Sequence, residues 1–80
     1  MHEVSLISDV IATVTQSAHE RQLSKIHKVK LVIGEYTSVM PESLLFAFDL
    51  LKKEPFIESS VLEIETSSGN EFYIDYFEGE

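Results

Sequence analysis

The 80-residue chain has no cysteine. It therefore has no disulfide framework, no thiolate nucleophile and no CxxC zinc knuckle. Three glycines leave little for a phosphate-cradling loop, and no nucleophile elbow or zincin motif occurs, so catalysis is not expected although Ser, His and Asp are all present. Basic residues are scarce: six Lys and Arg stand against fourteen Asp and Glu, a formal charge of −8 at pH 7. Nucleic acid and anionic membrane surfaces would repel such a chain, whereas a cationic ligand or a basic protein surface fits it. No apolar run is long enough to span a bilayer, and the N-terminus lacks the basic start and apolar block of a signal peptide. The expectation is one small cytoplasmic domain over residues 1–80 with a single modest core.

The first three residues, Met1-His2-Glu3, combine an unusual group with a nearby ligand. The terminal amine, the backbone nitrogen of His2 and its imidazole can close two fused chelate rings around one metal ion. Three nitrogens in a near-planar array suit Ni(II) or Cu(II) better than tetrahedral Zn(II), with a fourth position left for Glu3 or another ligand. A histidine at position 2 is ordinary on a frayed terminus. What adds weight here is that the chain continues without a spacer into an amphipathic segment.

Over residues 4–22, Val4, Ile7, Val10, Ile11, Val14 and Ala18 recur at spacings of three and four, which predicts a helix with Ser5 as its N-cap and residues 1–3 just outside it. Residues 26–33 alternate as a half-buried strand with Val29, Leu31 and Ile33 facing inward. A second helix is expected over residues 41–53, opened by Pro41, with Leu44, Ala47, Phe48 and Leu51 on its core stripe and lysines in its last turn. Leu45, Phe46 and Leu50 widen that stripe beyond what one face needs, and either flank the core or form a contact surface.

Residues 60–66 and 71–77 read as two further strands. The second is expected to set Phe72, Ile74 and Tyr76 against Tyr73, Asp75 and Phe77. Ser67-Ser68-Gly69-Asn70 between them has turn chemistry, and a short hairpin is the simplest consequence. The order α-β-α-β-β predicts an α+β fold of two layers: two helices packed on one face of a three-stranded mixed sheet. The other face should pair Lys28 and Lys30 with Glu63 and Glu65, with Val32, Tyr73 and Phe77 leaving it partly apolar. His19 and His27 are expected as solvated residues, and Glu78 and Glu80 as a solvated end.

The string as a whole resembles the HypA/HybF family of hydrogenase nickel-incorporation proteins. The resemblance rests on Met1-His2-Glu3 running into Val4-Ser5-Leu6, on Val32-Ile33-Gly34-Glu35, on Pro41-Glu42-Ser43-Leu44 followed by Phe46-Ala47-Phe48, and on Gly69-Asn70-Glu71. It implies a nickel metallochaperone whose Ni(II) site is formed by the terminal amine, the His2 side chain and backbone nitrogens near His2 and Glu3, so that Met1, His2 and Glu3 are the carried-over site residues. It also implies a maturation GTPase and the hydrogenase large subunit as partners, with urease maturation proteins for some members. Family members carry a zinc-binding segment with two CxxC motifs between the last two strands; residues 67–70 stand in its place, and no zinc is expected. If those four residues are too few to turn the chain back, the last strand is expected to pair with a second molecule as a strand-swapped homodimer. The rival reading is a metal-independent interaction module that binds a maturation partner.

Overall fold

The computed structural model describes residues 2–80. Its elements are α1 (Glu3–Glu20), β1 (Ile26–Gly34), a single 3-10 turn (Glu35–Thr37), α2 (Pro41–Leu51), β2 (Phe56–Ser67) and β3 (Phe72–Gly79). Both helices lie on one face of a three-stranded mixed sheet, as expected. Between them and the sheet, Ile7, Val10, Ile11, Val14 and Ala18 of α1 and Leu44, Ala47 and Phe48 of α2 meet Val29, Leu31 and Ile33 of β1 and Leu62 of β2. Phe48 stands edge-on to Phe56, with ring centroids 5.5 Å apart, a favoured aromatic arrangement.

The hairpin expectation is wrong. The strand order is β2-β1-β3, so β2 and β3 flank β1 and do not touch as a pair. β1 pairs in parallel with β2 through the α2 crossover and antiparallel with β3. The linker between β2 and β3 instead crosses the end of β1. Gly34 N donates to Glu71 O at 2.7 Å and Tyr36 N to Gly69 O at 3.0 Å. Burial explains the choice: Val29, Leu31, Val32 and Ile33 are all buried, which suits a central strand covered by a neighbour on each side. β3 thus finds its partner within the chain, and the short linker does not force a strand swap.

A bulge corrects the facing of the last strand. Lys30 pairs with Tyr76 while Leu31 pairs with Ile74, leaving Asp75 as the extra residue. Beyond that point the alternation is inverted. Phe77 joins Phe72 and Ile74 against the core, and Tyr76 moves to the open face, where the Lys28 ammonium sits 5.6 Å from its ring centroid. The expected charge ladder on that face is present, with Lys28–Glu63 at 3.0 Å and Lys30–Glu65 at 2.8 Å. These lysines hold the Glu63 carboxyl below its ordinary range, chiefly through the Lys28 hydrogen bond.

The end of α2 also differs from expectation. α2 stops at Leu51 because Lys52 is already extended (φ −65°, ψ 142°), so the lysines lie beyond its last turn. Lys52 Nζ donates instead to the carbonyls of Glu58 (2.8 Å) and Ser60 (3.1 Å), and pairs with Asp49 at 3.4 Å. That clamp holds an irregular stretch of β2, where the register jumps from Ile26↔Phe56 to Lys28↔Val61. Ser60, itself buried, fills the gap: its hydroxyl donates to Ile26 O at 2.5 Å and accepts from Ile57 N at 2.8 Å.

Candidate functional site

The helix begins earlier than the sequence suggests. His2, not Ser5, is the N-cap residue, and its side chain makes no capping bond. Leu6 N donates to His2 O at 2.8 Å, closing the first helical turn. Glu3 is therefore the first helical residue rather than a residue outside the helix. The amide N–H groups at such a helix start have no partner in the helix ladder, so nitrogens at the terminus are not tied up by it. The imidazole of His2 belongs to an exposed residue. Met1, whose amine the chelate requires, lies outside the described residues.

Glu3 carries the link between this terminus and the rest of the fold. Its Oε2 accepts from Met40 N at 3.3 Å, immediately before Pro41 opens α2. Its own backbone amide, then that of Met40, hold its carboxyl below the ordinary range, as helix N-termini do for acids. The side chain expected as a possible fourth metal ligand is thus engaged in fastening the start of α1 to the start of α2. Sequence reasoning missed this contact because the two residues are 37 positions apart and neither carries a motif.

Among the described residues, no group of three or more His, Asp or Glu is arranged to hold a metal ion. His19 is exposed. His27 is the one residue of the expected solvated pair to find a partner, with Nε2 3.1 Å from Glu80 Oε1. Glu80 is correspondingly not a loose end: its carbonyl accepts from Ser24 N and Lys25 N, and its amide donates to Lys25 O.

Beside the terminus, Glu3 and Val4 of α1 face Glu42, Phe46 and Leu50 of α2 across a depression of about 350 Å³. Phe46 is 71 % exposed and Leu50 68 %, so of the two alternatives for these residues the structure supports a surface rather than flanks of the core. A larger groove of about 660 Å³ runs between α1 and β3 past Arg21 and Phe77, away from Glu3. No helix among the described residues is long and apolar enough to cross a membrane.

Comparison with known proteins bears on this arrangement. The profile of the family described as "Hydrogenase/urease nickel incorporation, metallochaperone, hypA" matches residues 1–78. The hydrogenase maturation factor HypA of Moorella thermoacetica is 32 % identical across an alignment of 113 positions that takes in all of both chains. With 80 residues here, that alignment holds positions this chain does not fill. The HypA proteins of Lawsonia intracellularis (34 % over 65 residues, 81 % of this chain) and Nostoc sp. (35 % over 69 residues, 86 %) are also similar. The chain spans 55 % and 58 % of the length of those two relatives. The solution structure of the Ni metallochaperone HypA from Helicobacter pylori superposes with a TM-score of 0.74 at 24 % identity, covering 95 % of this chain and 72 % of that one, and shows the same fold. From its first residue to within two of its last, the chain belongs to the HypA family of hydrogenase and urease nickel-incorporation metallochaperones.

Proposed function

We propose that the chain is a nickel-carrying domain in hydrogenase maturation that binds one Ni(II) as cargo at Met1-His2-Glu3. The observation that carries this reading is the family match beginning at residue 1, with His2 exposed at the N-cap of α1. The terminal amine, the His2 amide nitrogen and the His2 imidazole form the fused chelate, and the adjacent Glu3 nitrogen is the nearest further main-chain donor. A helix N-terminus repels a cation by roughly 0.3–1 kcal/mol but favours negative charge. A metal-bound, deprotonated amide and the Glu3 carboxylate both supply such charge, so the dipole stabilises the ligands that neutralise the ion. Glu3 contributes through its backbone and through its hold on Met40, which fixes the start of α1 beside the start of α2.

The partners of this reading are a maturation GTPase, which assists delivery, and the hydrogenase large subunit, which receives the metal, with urease maturation proteins as a further destination. It places the protein in the cytoplasm, where these partners are made. Residues 67–70 replace the zinc-binding segment of longer relatives, and any contact drawn from that segment is absent here. The domain is a carrier, not an enzyme.

The test is a Ni(II) titration of protein with a native, untagged N-terminus between pH 6 and 9, which brackets the reference α-amine pKa of about 8. Stoichiometric binding with a yellow square-planar absorption band, increasing with pH, is expected. It should vanish in His2→Ala and when residues are added before Met1, because the extension removes the free amine and leaves every side chain in place. Binding that survives the extension would place the metal elsewhere.

A further inference from the structure

The depression between the two helix starts has features the metal reading does not use. Glu42, Phe46 and Leu50 lie four residues apart on α2 and so form one ridge along that helix. Ser43 and Ala47 make a floor of small side chains beside that ridge, and Val4, 57 % exposed, forms the opposite wall with Glu3. Two helices separated by a small-residue floor with an apolar ridge on one side make a seat for a third helix. Large exposed apolar side chains grouped this way mark an interaction surface rather than ordinary exposed area.

Charge selects the occupant. Among the described residues, the charged ones lining the depression, Glu3 and Glu42, are both acidic, and no Lys or Arg lines it. A second copy of this chain, with a formal charge of −8, would bring acid against acid. We propose that this seat takes an amphipathic helix of a partner protein whose apolar stripe covers Phe46 and Leu50 and whose basic residues meet the exposed Glu42. The eleven residues of α2 span about 16 Å, so the seat matches about three turns of the incoming helix. The partner helix then lies beside Glu3 at the start of α1. The proposal rests on the surface itself and holds whether or not the terminus binds nickel.

The probe is a synthetic three-turn peptide with leucines at i, i+4 and i+7 and lysine or arginine at the flanking positions. A control peptide keeps the leucines and replaces every basic residue with glutamate. Fluorescence anisotropy in metal-free buffer at low salt should show saturable binding of the basic peptide and at least tenfold weaker binding of the acidic one. Phe46→Ser with Leu50→Ser should weaken binding at least tenfold, and Glu42→Lys several-fold, with circular dichroism and Tm reporting that each variant is folded. Since all three side chains are exposed, these variants are expected to retain the native spectrum, and Glu42→Lys tests the seat without altering its apolar ridge. Equal binding of the two peptides, or unchanged binding in the Phe46/Leu50 variant, overturns the proposal. So does concentration-dependent dimerisation of the chain that the same variant abolishes, because the occupant is then a second copy. His2→Ala should leave peptide binding intact while removing nickel, so failure of this inference and failure of the metal reading give different results.

Discussion

Replacing Gly34 with alanine should damage the fold through space alone. Gly34 has φ −74° and ψ 144°, an ordinary extended conformation, so an alanine there carries no backbone strain. Its Cβ, however, would collide with the carbonyl oxygen of Gly69 and lie 2.5 Å from the Gly69 carbonyl carbon and 2.7 Å from the Asn70 Cα. All three are backbone atoms of the crossover between β2 and β3, which cannot rotate aside as a side chain would. Moving the crossover away strains or breaks the bonds from Gly34 N to Glu71 O and from Tyr36 N to Gly69 O. Overpacking costs about 1–3 kcal/mol, and each of the two lost hydrogen bonds about 0.5–1.5 kcal/mol, giving a loss of about 2–6 kcal/mol. For a domain of this size that corresponds to a fall in Tm of roughly 10–50 °C. Thermal melts followed by circular dichroism measure it, and amide exchange at Gly34 and Tyr36 localises it. A fall of less than about 4 °C, with both amides still protected, would show that the crossover does not press on β1.

Ser60→Ala should lower stability by about 1–3 kcal/mol, because it removes a buried donor to Ile26 O and the acceptor of Ile57 N; urea denaturation gives the value, and a change within error would mean water substitutes for the hydroxyl. Phe48→Ala, which empties a side chain only 1 % exposed at the junction of α2 and the sheet, should cost about 3–5 kcal/mol in the same assay. Glu63 has a folded pKa lowered from its ordinary 4.5, so its ionised form favours the folded state above that value, and the contribution is lost as pH falls through the lowered folded pKa. Lys28→Met should move the Glu63 carboxyl titration, followed by NMR, back up toward 4.5 and flatten this acid-side dependence of stability; an unmoved titration would assign the shift to another cause.

The two helices, their core stripes and the Lys28–Glu63 and Lys30–Glu65 ladder were legible because each follows from a local period. Spacings of three and four bury Ile7, Val10, Ile11, Val14 and Ala18 together, and period two places Val29, Leu31 and Ile33 on one sheet face. The period failed where a single residue interrupts it. The bulge at Asp75 exchanges the faces of Tyr76 and Phe77, and no composition signal distinguishes that residue from a regular strand position. The start of α1 was misplaced for a related reason. Ser5 is a better cap by residue type, but Glu3 contacts Met40 from a distant part of the chain, and the helix extends to meet that contact.

The sequence by itself determined the class of the domain, the acidic surface, the absence of cysteine ligation and the family, and it offered the Met1-His2-Glu3 motif on which the proposed site rests. Local chemistry suffices for these, since each is a property of composition or of neighbours along the chain. Tertiary structure alone decided that β3 pairs along β1 rather than folding back on β2, that Gly34 packs against the backbone of the β2–β3 linker, and that Glu3 fastens one helix start to the other. It also decided that Phe46 and Leu50 face outward. Each of these turns on which of several chemically acceptable partners is reached when the whole apolar surface is buried at once, and that competition is settled between residues far apart in sequence.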